Sequence, residues 1–134
     1  MNRNQEWPRI LSEFLAEKAN QPFSWGENDC LLFCADAVLS MTGTDHAAEF
    51  RGQYTDEARA YAALQSAGYA DAEQVLTAKL GEPKPVKFAH RGDIVLYGNA
   101  GGVVDMTGRY AALYAVNRGL VRVPLHQCSK ALEV

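Results

Sequence analysis

Phe23-Ser24-Trp25-Gly26-Glu27-Asn28-Asp29-Cys30, continued by Leu31-Leu32-Phe33-Cys34-Ala35-Asp36, is the stretch on which the fold is decided. A polar, glycine-containing turn ends in Asn28-Asp29 and hands a cysteine to the start of an apolar helix. Asn28 or Asp29 is the natural cap of that helix, and Thr42-Gly43 stops it. Leu31, Leu32, Phe33, Ala35, Ala37, Val38 and Leu39 make it apolar nearly all round, which assigns it to the centre of the fold. A thiol at a helix start meets unpaired backbone N–H groups and the positive end of the helix dipole, which favour thiolate over thiol. Cysteine hydrolases use such a position for the nucleophile, provided that a base accompanies it.

Working outward, Trp7, Ile10, Leu11, Phe14 and Leu15 recur at helical spacing and predict an amphipathic helix with Pro8 in its first turn. Residues 44–54 read as a loop ending in Arg51-Gly52-Gln53-Tyr54. Thr55 introduces a third helix over Asp56 to Ala67. A fourth opens at Asp71-Ala72-Glu73-Gln74 and closes at Gly81. After Pro83 and Pro85 the pattern becomes extended. Strands are expected at 94–97, 103–107, 110–116 and 120–123, with Gly98 to Gly102 as a turn, Gly108-Arg109 as a tight hairpin and Asn117-Arg118-Gly119 as a third turn. Helices first and an antiparallel meander second make an α+β fold. The expectation is one domain over 1–134, with a helical part at about 7–81 and a sheet of about four strands at about 86–125.

The chain of 134 residues is 48% hydrophobic and 22% charged with a net charge of −3, a balance that supports a packed core and no basic face for nucleic acid. No apolar run approaches the length of a membrane span, and no apolar segment of signal-peptide type follows the polar start Met1 to Glu6. The three cysteines, Cys30, Cys34 and Cys128, are odd in number and read as free thiols.

A cysteine opening a central helix, followed by an antiparallel sheet that begins Gly-Asp, resembles the papain-like cell-wall peptidases of the NlpC type. The residues carrying the resemblance are Asp29-Cys30 and Gly92-Asp93-Ile94-Val95-Leu96-Tyr97. The chain is more closely similar to a small family of uncharacterised function found in phage and prophage tail modules. That likeness rests on Phe23-x-Trp25-Gly26-x-x-Asp29-Cys30, Arg51-Gly52-Gln53-Tyr54, Gly92-Asp93-Ile94-Val95 and Gly119-Leu120-Val121-Arg122-Val123-Pro124-Leu125, spread over about residues 5–132. The resemblance implies an NlpC/papain-like fold. It also implies a protein made in the bacterial cytoplasm and carried in a virion tail, with tail-hub or tail-tip proteins as partners and peptidoglycan as a candidate substrate.

Cys30 is the candidate nucleophile, with Trp25, Gly26 and Asp29 as its turn and groove. In NlpC-type enzymes the base is a histidine at the start of the second core strand. Counting back from Gly108 puts Gly102 at that place, and Ala100 to Met106 contains no histidine. His46, His90 and His126 are the remaining candidates. His126 is the first to test, because its tail has the least fixed location. Two readings therefore stand: a structural tail-tip component with a degenerate site, or an active peptidase or amidase cutting peptidoglycan stem peptides. A Cys₃His metal site from Cys30, Cys34, His126 and Cys128 is the weaker reading of the thiols, and no metal or cofactor is expected. Asp36, two turns along from Asp29, needs a partner if buried; Arg51 and Arg91 are the candidates.

Overall fold

Residues 2–134 are described by a computed structural model. Helices α1 (Trp7–Lys18), α2 (Cys30–Thr42), α3 (Glu57–Ser66) and α4 (Ala72–Leu80) precede strands β1 (Ile94–Tyr97), β2 (Ala100–Val104), β3 (Tyr110–Ala115), β4 (Gly119–Pro124) and β5 (Lys130–Leu132). The architecture is α+β, and the sheet is antiparallel throughout in the order β4-β3-β2-β1-β5.

Helix α2 is central, as its composition predicts. Leu31, Leu32, Phe33, Cys34, Ala35, Ala37, Val38 and Met41 are all buried. Its ends are fixed by the residues expected to fix them. Asp29 caps the start by accepting from the backbone N–H of Leu32 at 2.9 Å. Gly43, at φ 81°, takes the left-handed conformation that closes the last turn. Outside α2 lies α1, where Phe14 packs on Phe33 with ring centres 5.5 Å apart. Phe33 in turn stacks on Tyr114 of β3 at 5.1 Å. An aromatic column thus runs from the outer helix through α2 into the sheet.

Strand alternation sorts the sheet residues onto two faces. Ile94, Leu96, Val103, Ala112, Tyr114 and Leu132 join the helices in the main core. Val95, Val104, Ala111, Leu113 and Ala131 form a second apolar layer, with Cys128 and Leu125 covering part of it.

Two features of the sheet depart from the pattern read in the sequence. The expected four strands are five, because Lys130-Ala131-Leu132 returns along β1 with Val95 opposite Ala131. In addition, β2 starts at Ala100 rather than Val103, so Gly101 and Gly102 are strand residues and the turn shrinks to Gly98-Asn99. Glycine is a poor strand former, and here it is tolerated because the neighbouring elements come too close for a side chain.

The Gly92-Asp93 pair that opens the sheet has a structural task. Asp93 is 1% exposed. Its carboxylate meets the Arg3 guanidinium at 2.9 Å and the Lys84 ammonium at 2.9 Å. It also accepts from the backbone N–H groups of His90 at 2.9 Å and Val134 at 3.1 Å. Arg3 continues to the carbonyls of Val134 and Arg91. One carboxylate therefore ties residues near both ends of the chain to the entry of β1. No helix among the described residues is long and apolar enough to cross a membrane.

Candidate functional site

The Phe23–Cys30 turn is built around Asp29. Ser24 and Asn28 close the turn through backbone hydrogen bonds of 3.2 Å and 2.8 Å. The Asp29 carboxylate, 1% exposed, accepts from the backbone N–H of Gly26 at 2.9 Å as well as from Leu32. A third donor arrives from far along the chain, the Tyr54 hydroxyl at 2.7 Å. This explains the second motif. Arg51-Gly52-Gln53-Tyr54 is laid against the turn, with the Gly52 N–H donating to the Gly26 carbonyl at 2.9 Å. Gly26 sits at φ 83°, and a β-carbon there would stand 2.2 Å from the Tyr54 carbonyl oxygen. No residue but glycine fits. Arg51 itself binds Asp36 at 2.7 Å and Asp45 at 2.9 Å, with Lys18 at 3.4 Å on the other oxygen of Asp36. Of the two arginines expected for Asp36, Arg51 is the partner. Tyr54 is buried and joins the core, while half-buried Trp25 walls a groove.

Cys30 is the first residue of α2 and remains partly accessible. It borders a cavity of about 50 Å³ with Trp25, Asp29, Tyr54, Tyr61 and Asn99. On its other side runs an apolar groove of about 480 Å³ with Phe23, Tyr97, Val116 and Val121. Its environment works against thiolate. Burial, and then the negative Asp29 beside it, push the thiol up to about 11 from an ordinary 9.0, outweighing the backbone amides of Gly101, Leu31 and Cys30 that pull the other way. Asp29, well suited to building the turn, is thus a poor neighbour for a nucleophile. The Tyr54 hydroxyl is no base either, for burial and Asp29 hold its proton firmly.

None of the three histidines lines either cavity around Cys30. His126 is exposed in a short 3₁₀ turn after β4. That turn follows Pro124, which pairs with Tyr110, whereas Cys30 lies towards Ala115 at the other end of β3. The intervening strand is roughly 17 Å long, so the structure does not bring His126 to the thiol. His90 is exposed beside Asp93, with 3.8 Å from its Nδ1 to the carboxylate. His46 lies in the loop after α2, where its Nε2 is buried without a hydrogen-bond partner.

The orientation of Gly102, the residue counted to the histidine place, follows from its strand pairing. Gly102 does not face Cys30. It pairs with Val95 and Leu113, on the sheet face away from α2. A β-carbon on Gly102 would stand 2.7 Å from the Ala112 carbonyl oxygen. The glycine that faces α2 is Gly101, and its β-carbon would lie 2.8 Å from Cys34 Sγ and 3.0 Å from Leu76 Cδ1. At Gly101 the sheet is therefore in contact with α2 at Cys34, one turn along the helix from Cys30.

Cys34 belongs to the helix side of the sheet and Cys128 to the opposite layer, so the sheet separates them and they cannot share a metal. No group of metal-ligating side chains is found among the described residues. No curated protein and no solved structure matches the chain. A family model described as a domain of unknown function (DUF6950) matches residues 2–134, nearly the whole fold with its Asp29-centred turn and its glycine strand, and the chain belongs to that family.

Proposed function

We propose that this protein is a structural or interaction component of a phage or prophage tail tip, built on an NlpC-like peptidase scaffold whose active site no longer catalyses. The tail assignment and the NlpC relationship rest on the four sequence motifs. Their support in the fold is a cysteine opening the central helix, packed against the second strand of an antiparallel sheet. One observation carries the loss of catalysis: no histidine lines either cavity that borders the Cys30 thiol, and the strand beside it offers only Asn99, Ala100 and the backbone amide of Gly101. With the thiol near 11, roughly one molecule in 10⁴ is thiolate at neutral pH. Without a positioned base, a further factor of about 10² to 10⁴ is lost.

The competing reading is a cysteine peptidase or amidase acting on peptidoglycan stem peptides. The amides of Gly101 and Leu31 around the sulfur favour it, since such donors suit an oxyanion. Three measurements on purified protein and particles separate the two. Alkylation of Cys30 by iodoacetamide is expected to stay slow at pH 7 and to climb about tenfold per pH unit towards pH 11. Purified peptidoglycan is expected to remain intact with wild type and Cys30→Ala alike, and the protein should co-sediment with tail particles. A thiol titrating below pH 8, or muropeptide release that disappears in Cys30→Ala, sinks the non-catalytic reading. Absence from tail particles sinks the tail assignment.

A further inference from the structure

The apolar groove beside Cys30 does not stand alone. Trp25 borders it, the small cavity above the thiol, and a third depression of about 590 Å³ between the end of α1 and the β3–β4 turn. Phe23 and Val116 are shared by the two larger depressions. Phe23 meets Trp25 edge to face with ring centres 4.9 Å apart, an aromatic ridge shared by the two larger depressions, which adjoin there as one trough. Tyr61 and Val116 stay 37% and 48% exposed along it, an unusual amount for side chains of their size gathered in one place.

Apart from buried Asp29, the two charges of the trough stand at its opposite parts. Glu57, at the start of α3, lines the Cys30 groove, and Arg118, in the β3–β4 turn, lines the third depression. Both are exposed, and neither has an ion partner among the described residues; Arg59, near Glu57, is taken by Asp56 at 3.7 Å. The trough is concave, so two copies apposed face to face would leave it unfilled. An extended chain fills it, with apolar side chains over the aromatic ridge and its own charges meeting Glu57 and Arg118.

We propose that this trough is a docking groove for an extended peptide segment of a partner protein, apolar in its middle, with a basic group at the Glu57 end and an acidic group at the Arg118 end. The inference rests on the non-catalytic reading of Cys30 and gives it a partner chemistry. In this arrangement the ancestral cleft holds a chain without cutting it.

The test uses the full protein and four fluorescein-labelled synthetic peptides with the same Leu/Tyr-rich centre, flanked by Lys and Asp, Asp and Lys, Lys and Lys, or Asp and Asp. Anisotropy titrations should show wild type preferring a mixed-charge peptide roughly fivefold, since each exposed ion pair contributes modestly. Glu57→Lys should prefer the Asp–Asp peptide and Arg118→Glu the Lys–Lys peptide, while the double variant Glu57→Lys/Arg118→Glu returns to mixed charge. Both positions are exposed, and circular dichroism melts verify that each variant is folded. Equal affinity for all four peptides, or no binding by any, overturns the proposal. So does concentration-dependent dimerisation in sedimentation that Glu57→Lys abolishes, which would make a second copy the occupant. Each mixture is also analysed by mass spectrometry. Peptide cleavage that requires Cys30 would overturn the non-catalytic reading while leaving the charge pattern to be judged separately.

Discussion

Asp29 is held by three donors, and each donor comes from a different piece of chain: the turn, the helix and the Arg51–Tyr54 segment. Tyr54→Phe removes one of them and leaves a buried carboxylate short of a partner. Urea denaturation is expected to show a loss of about 1–3 kcal/mol, with faster proteolysis of residues 44–56 as the local sign. Asp29→Asn acts on two properties at once. It weakens the turn, and it removes the negative charge that raises the thiol, so Cys30 alkylation should accelerate at fixed pH while the melting temperature falls. His46 offers a titration of defined sign. Burial, aided by the neighbouring Lys79, holds its imidazole below the usual 6.5. The folded state then favours the neutral ring, and the unfolded chain takes up a proton first as pH falls. Stability present above pH 6.5 is therefore lost progressively below it, and His46→Gln should flatten that part of the stability profile measured by thermal melts.

The close approach of β2 to α2 is made by Gly101, and adding even a methyl group there forces one element off the other. Gly101→Ala is expected to cost about 1–3 kcal/mol by overpacking against Cys34 and Leu76. Gly101→His, which would drive an imidazole against Cys34 and Leu76, should fold worse still. This strand also marks the limit of what the residues reveal on their own. Helices α2 to α4 were legible because a polar cap and a glycine at or just past the end frame each, as Asp29 and Gly43 frame α2, although α3 is capped by Asp56 rather than Thr55; α1 was legible from its apolar period behind Pro8. The start of β2 was not, since Ala100-Gly101-Gly102 has no side-chain alternation to read. Nor was β5, three residues long. A trace of β5 exists in β1, whose Ile94-Val95-Leu96 are apolar without alternation and buried on both faces. Such a run belongs to an interior strand, and an interior strand needs a neighbour on each side. In the site, Cys30, Asp29 and the missing histidine were visible in the sequence. The bond from Tyr54, 25 residues away, and the face on which each glycine lies depend on tertiary contacts.

At the scale of the molecule, Asp93 gathers Arg3, Lys84 and the backbone of Val134 at one end of the sheet, while Asp29 gathers the turn, α2 and Tyr54 near the other. Asp93→Asn leaves the Arg3 and Lys84 cations facing a neutral amide. A loss of about 2–4 kcal/mol is expected, read as a lower melting temperature and as increased hydrogen exchange in both β1 and residues 2–5. The same distribution of burial and charge has a consequence for the protein's lifetime outside a reducing cell. Burial raises all three thiols, with Asp29 adding to the effect at Cys30 and Cys34. The thiolate is the species that attacks peroxide and disulfides, so an odd set of cysteines that would ordinarily invite sulfenic acids and cross-linked aggregates is expected to react slowly. Intact mass is expected to stay unchanged after prolonged exposure to dilute hydrogen peroxide at neutral pH, and the chain to remain free of intermolecular disulfides on non-reducing gels: a resistance to oxidation that comes first from burial, with the carboxylate that holds the turn adding to it at Cys30 and Cys34.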